Sequence, residues 1–353
     1  MEKENSIMDP IVSEKKKTHD YSLDLIKILA FVGVLYNHRA PYSMAMDANA
    51  GIVIQTLATL CRCAVPLFFL CSGITLLKKN ESIGQLFLHR VLRIVIVMLL
   101  CTVVRGWGQW TAAALWNVFW TKLNWYLYAY FDYLLMLPFL RCIAQKTAPA
   151  EADFFIAAAA LFQIAGGILI AIGQYTGLID FVPIFNTQFA SLAWGIVFPL
   201  AGYFLYHLRL GDRKIFIVLL SAGAVVSIGL SVYFVMRDIR LFKGAHNEAL
   251  RTHFVFLPSL LLFWLIGKFY ESAAFFKNEK VRQYLGIFAG TVFGAFLLET
   301  HAPLIWFINS RLSPLTPLFG VYLTGIIALV YSYMVYFFAV MALKQLPGLN
   351  KLL

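Results

Sequence analysis

About ten stretches of roughly twenty apolar residues, separated by short polar segments, constrain this chain more than any other feature. They run approximately over 22–40, 51–77, 86–105, 124–144, 153–173, 188–208, 214–236, 251–270, 285–308 and 317–343. An apolar helix of about 20 residues crosses the hydrocarbon of a bilayer, and only structures that satisfy every backbone polar group survive there. Of the 353 residues, 61% are hydrophobic and 13% are charged. Soluble domains carry about a quarter charged residues, and a soluble fold could not bury this much apolar surface. The expectation is an all-α integral membrane protein, with about ten transmembrane helices in one bundle and lipid as its main solvent.

The net charge of +11 would suggest nucleic acid in a soluble chain. Here the basic residues fall mostly between apolar spans, where they set orientation. With the run Lys15–Lys17 inside, the inner loops carry Lys78 and Lys79, Arg141 and Lys146, Arg209, Arg213 and Lys214, Lys268, Lys277, Lys280 and Arg282, and finally Lys344 and Lys351. Both termini are therefore expected in the cytoplasm. Residues 1–20 read as a disordered cytoplasmic tail, 21–345 as one membrane domain, and 346–353 as a cytoplasmic end. One loop departs from the charge rule. Residues 237–251 fall outside by this count, yet hold Arg237, Arg240, Lys243 and Arg251. Either the span count fails there or the loop meets something anionic. The Trp-rich segment Gly106 to Leu123 suits a helix lying at the membrane boundary, with a re-entrant segment as the alternative. Cys61 and Cys63 point to different sides of a helix, so small buried hydrophobes are expected and no metal is implied.

Ionisable residues inside apolar spans cost several kcal/mol unless paired or hydrated, so each is a functional candidate. Lys27 and His38 lie about three helical turns apart, which places both on one face, separated by about 16 Å along the axis. Lys27 could instead snorkel inward and pair with Asp24, and His38 could merely end the helix. Arg62 sits about ten residues from either end of its span, too deep to snorkel easily. Pro66 should kink the same span. Arg90 and Arg93 are neighbours on one helix face at the inner boundary, placed to grip phosphate or lipid headgroups. Glu299 and His301 stand inside the ninth span, as a tuned acid–base group or a structural hydrogen bond. Sequence motifs of serine hydrolases, P-loop ATPases, zinc proteases and dinucleotide-binding dehydrogenases are absent.

Several of these segments, taken in order, form a pattern. YSLDLIKILAFVGVLYNH places a basic residue ahead of a histidine, CRCAVPLFFLCSG follows an arginine with VPLFF and SG, HRVLR pairs two arginines, NWYLYAYFDYLLMLPFLR holds a Trp-Tyr-Leu stretch, and FGAFLLETHAPLI ends in histidine. In these the chain resembles the acyltransferase 3 family of bacterial membrane enzymes, which move acyl groups, usually acetyl from acetyl-CoA, onto cell-surface carbohydrates. It is most similar to stand-alone O-acetyltransferases such as that of enterobacterial common antigen. Lys27 stands where the family usually has arginine, Ile74 where it usually has an aromatic residue, and Glu299 departs from its late signature.

The resemblance implies a multi-pass O-acyltransferase of a bacterial cytoplasmic membrane, using acetyl-CoA or another acyl-CoA as donor and a surface or lipid-linked glycan as acceptor. Lys27, Arg90 and Arg93 would hold donor phosphates. His38 would act as general base or transient acyl carrier, and Arg62 would stabilise developing negative charge. Glu299 and His301 would assist on the acceptor side. Arg237, Arg240, Lys243, Arg251 and Trp125 would meet the acceptor. Membrane lipid is the other expected partner, and nucleic acid is not. A transporter or substrate-binding membrane protein is the alternative, since intramembrane Lys, Arg and His also suit solute pathways.

Overall fold

The computed structural model describes residues 19–38, 51–108, 110–121, 123–177, 189–241 and 249–352. Every regular element among them is helical. Seven helical stretches among the described residues are long and apolar enough to cross a bilayer: Ile52–Leu76, Ile83–Arg105, Trp125–Lys146, Pro149–Thr176, Lys214–Leu241, Glu279–Leu298 and Leu323–Leu343. The protein is an all-α, multi-pass, largely membrane-spanning bundle. Three more spans read from the sequence hold α1 (Tyr21–His38), α8 (Phe189–His207) and α11 (Phe256–Ser272), of 18, 19 and 17 residues. The remaining elements are α2 (Ile52–Arg62), α3 (Ala64–Leu76), α4 (Ile83–Arg105), α5 (Ala112–Thr121), α6 (Trp125–Lys146), α7 (Pro149–Thr176), α9 (Lys214–Leu241), α10 (Ala249–Thr252), α12 (Glu279–Leu298), α13 (Ala302–Leu312), α14 (Thr316–Leu343) and α15 (Leu349–Leu352).

Helix α1 occupies the middle of the bundle and touches α2, α3, α11, α12 and α14. Its residues Ile26, Ala30, Phe31, Val34 and Leu35 are all but inaccessible. A helix buried around most of its circumference fixes whatever polar groups it carries. The outer helices show the opposite pattern. Leu161, Leu169 and Ile172 on α7, and Ile215, Val218, Leu219, Val225 and Val226 on α9, are exposed large apolar side chains in rows. Rows of that kind fit a surface solvated by lipid.

Two spans break at positions that matter for the site. The second span divides into α2 and α3 at Cys63. Pro66 explains it, because its ring excludes the carbonyl of Arg62, four residues earlier, from the helical hydrogen-bond ladder. The ninth span, read from the sequence as one apolar stretch, is two helices. Glu299 and Thr300 form a turn, His301 is extended, and α13 restarts with Pro303 in its first turn. A proline is tolerated in the first turn of a helix, where its missing N–H would have no intrahelical partner anyway. Within α4, Phe87–Val91 adopt a single π-helical turn, a local widening that re-aims the side chains around it. The aromatic segment near residue 110 forms the short helix α5, with Trp116 and Trp120 exposed.

Helices α3 and α8 approach backbone to backbone. A β-carbon on Gly73 would lie 2.0 Å from the Pro199 carbonyl oxygen, and one on Gly202 would lie 2.6 Å from the Leu70 carbonyl oxygen. Small residues permit such contacts between membrane helices. Gly73→Ala is therefore expected to cost about 1–3 kcal/mol or more, because backbone cannot rotate aside as a side chain can. A melting temperature in detergent equal to wild type would contradict the close approach.

Candidate functional site

The last turn of α1 and the break between α12 and α13 meet through an ionisable pair. His38 Nδ1 lies 2.7 Å from Glu299 Oε2, across 261 residues of chain. The Glu299 side chain is fully buried, whereas that of His38 keeps 41% of its surface exposed. A buried carboxylate needs a partner of this kind to offset its desolvation. The Tyr336 hydroxyl on α14 donates to the Glu299 carbonyl oxygen at 3.2 Å and anchors the turn. Two buried atoms beside the pair have no hydrogen-bond partner: Glu299 Oε1 and His301 Nδ1. Buried polar atoms are nearly always satisfied, so unpaired ones mark a place where a ligand group could bind.

Cations flank this turn. Arg105, at the end of α4, donates to Thr300 Oγ1. Asn37 Nδ2 donates to the Cys61 carbonyl at 2.9 Å, so Arg62, the next residue along, stands beside the last turn of α1. The contact engages Nδ1 of His38 and leaves Nε2 as the ring nitrogen not bound to Glu299. A histidine oriented by a buried carboxylate, with its other nitrogen accessible, can take a proton from a hydroxyl.

At the other end of α1 lies a cavity of about 290 Å³ between α1, α3, α4, α6 and α12. Lys27, His89, Arg90 and Arg93 form its polar wall, and Phe68, Tyr126, Tyr130, Phe293 and Phe296 its apolar one. The sequence reading grouped Lys27, Arg90 and Arg93, and the structure brings these three to one cavity. The pairing of Lys27 with Asp24 was one of the alternatives read from the sequence, whereas the partners of Arg90 and Arg93 were not foreseen. Lys27 Nζ reaches Asp24 at 3.1 Å. Arg90 is held by both Glu81 oxygens at 2.9 and 2.5 Å, and Arg141 binds Glu81 as well, at 2.9 Å. Hydrogen bonds from Arg90, and then from Arg141, outweigh partial burial and hold the Glu81 carboxyl down to about 2, against an ordinary value of 4.5. One carboxylate thus serves two guanidinium groups, which leaves the cluster net positive. Arg93 donates to the Leu352 carbonyl at 3.3 and 2.9 Å through Nε and Nη2.

The residues expected on the acceptor side are dispersed. Arg237 is exposed, its guanidinium 4.4 Å from the Tyr175 ring centroid. Arg240 is exposed one turn on. Lys243 lies outside the described residues. Arg251 does not join them: it is 1% exposed and donates to Gln55 Oε1 at 2.6 Å. The short helix α10 carries it inward against α2, so Arg251 does not share the exposed surface of Arg237 and Arg240. Trp125 is half exposed and packs edge-on against Trp194, with ring centroids 5.4 Å apart.

Sequence reasoning missed Glu81, Arg141, Arg105 and the aromatic wall. Glu81 had a faint signal, an acid set among Lys78, Lys79 and Arg90, but nothing in its spacing names Arg141 as a partner. Among the described residues, no group of three or more His, Cys, Asp or Glu side chains has metal-binding geometry. A family model described as an acyltransferase domain, that of acyltransferase 3, matches residues 20–343. No curated protein and no solved structure matches the chain.

Proposed function

The chain belongs to the acyltransferase 3 family, and from that premise we propose that it is a membrane O-acyltransferase, most simply an O-acetyltransferase. It takes the acyl group from cytosolic acyl-CoA and passes it to a hydroxyl of a surface or lipid-linked glycan. One observation carries the reading: α1 holds Lys27 in the wall of a cationic cavity near one end and His38 in a buried carboxylate pair at the other. That is what a donor with phosphates at one end and a reactive thioester at the other requires.

In this reading Lys27, Arg90 and Arg93 hold the donor phosphates, with Glu81 keeping Arg90 in place. His38 Nε2 removes the proton from the acceptor hydroxyl as its oxygen attacks the thioester carbonyl. The carbon–sulfur bond then breaks, and the thiolate leaves and takes up a proton. Glu299 keeps His38 in the required tautomer and stabilises its cation. Arg62 stabilises the oxyanion. His301 offers its unpaired Nδ1 to the acceptor, while Arg237, Arg240 and Trp125 meet acceptor groups farther out. Ten spans with both termini in the cytoplasm of a bacterial cell, and a single catalytic domain over 21–345, complete the proposal.

The direct test is transfer of labelled acetyl from acetyl-CoA to glycan by membranes containing the protein. No transfer and no thiol release would leave a transporter as the better account. Arg93→Ala is expected to weaken acyl-CoA binding about ten- to a hundredfold, the worth of one charge-assisted hydrogen bond. Unchanged affinity by calorimetry would return Arg93 to anchoring in lipid headgroups.

A further inference from the structure

The apolar wall of the donor cavity is aromatic. Three of these aromatic side chains, from three helices, pack on one another. Tyr126 of α6 and Phe296 of α12 meet edge to face, with centroids 5.0 Å apart. Phe68 of α3 lies 6.2 Å from each of them. All three rings line the cavity. Phe296 precedes Glu299 by one helical turn on the same face, so the layer lies on the side of the cavity nearest the histidine pair. Tyr126 is also backed by Phe69 and Tyr130, at 5.3 and 5.7 Å, which prevents it from swinging away.

We propose that Phe68, Tyr126 and Phe296 form an aromatic septum that sets the size of the acyl group transferred, admitting acetyl and rejecting longer chains. The proposal rests on the acyltransferase reading and names the donor class within it. A donor held at Lys27 and Arg93 must bring its thioester against these rings before it meets His38. Tyr126 and Phe296 are 7% and 4% exposed, so the layer is packed like an interior. Each added methylene must therefore displace a ring that has neighbours behind it. A site of this kind discriminates by about 10–200-fold per misfitting methylene.

The experiment compares equilibrium binding of acetyl-CoA, butyryl-CoA and hexanoyl-CoA to the full-length protein in nanodiscs, which needs no acceptor. Wild type should prefer acetyl-CoA over hexanoyl-CoA by at least about tenfold. Phe296→Ala should shift that ratio at least about tenfold toward hexanoyl-CoA. Phe68→Leu, a milder change on a less buried ring, should shift it in the same direction. The ratio does not depend on how much variant protein folds, and Phe68→Leu serves if Phe296→Ala does not assemble. Binding of acetyl-CoA with the same chain-length ratio in wild type and both variants would overturn the septum alone. Binding of no acyl-CoA by wild type would overturn the acyltransferase reading and the septum with it.

Discussion

Replacing His38 is expected to abolish most acyl transfer, lowering kcat by about 10²–10⁴-fold while acyl-CoA affinity stays near wild type. The two effects separate because the cationic cavity wall and His38 lie near opposite ends of α1. The choice of substitution matters. His38→Ala removes the partner of a fully buried carboxylate, and an uncompensated buried charge destabilises the fold in its own right. His38→Gln keeps an amide hydrogen able to bond Glu299 but has no titratable nitrogen. It should retain the wild-type melting temperature and lose turnover, whereas His38→Ala should lose both. Near-normal acetyl transfer by a well-folded His38→Gln protein would remove His38 from the chemistry.

The contrast between what was legible and what was not follows the range of the interactions. Helical spacing is local, so placing Lys27 and His38 on one face about 16 Å apart needed only the pitch of a helix. The interruption near Arg62 was equally local, since Pro66 acts on a carbonyl one turn away. The cavity formed by Lys27, Arg90 and Arg93 was reached through resemblance, because α1 and α4 are brought together by the rest of the bundle. Glu299 and His301 were visible as ionisable residues in an apolar span. That the span breaks between them, and that Glu299 turns to His38, depends on a contact spanning 261 residues. The basic loop shows the converse: charge counting grouped Arg237 with Arg251, and only the fold separates an exposed arginine from one bonded to Gln55 in the interior. Glu81 was overlooked because a carboxylate among surface lysines resembles ordinary loop chemistry until its two arginine partners are located.

Glu299→Gln is the second large effect expected, a loss of about 10³–10⁴-fold in kcat with little change in donor affinity. The neutral amide fills the same space but removes the charge that holds the proton on His38 Nδ1. If the amide nitrogen turns toward Nδ1, the imidazole is driven into the tautomer whose Nε2 carries hydrogen and cannot act as a base. If the amide oxygen turns instead, the tautomer survives but the imidazolium formed during transfer loses its counter-charge. Glu299→Asp keeps the charge on a shorter stem, so it should recover part of the activity if some contact with Nδ1 survives. The decisive comparison is the double variant His38→Gln, Glu299→Gln. Residues that act as one unit are non-additive, so the double variant should be no slower than the slower single one. Losses that multiply would mean that Glu299 acts independently of His38, and the 2.7 Å contact between them would then be structural and not catalytic.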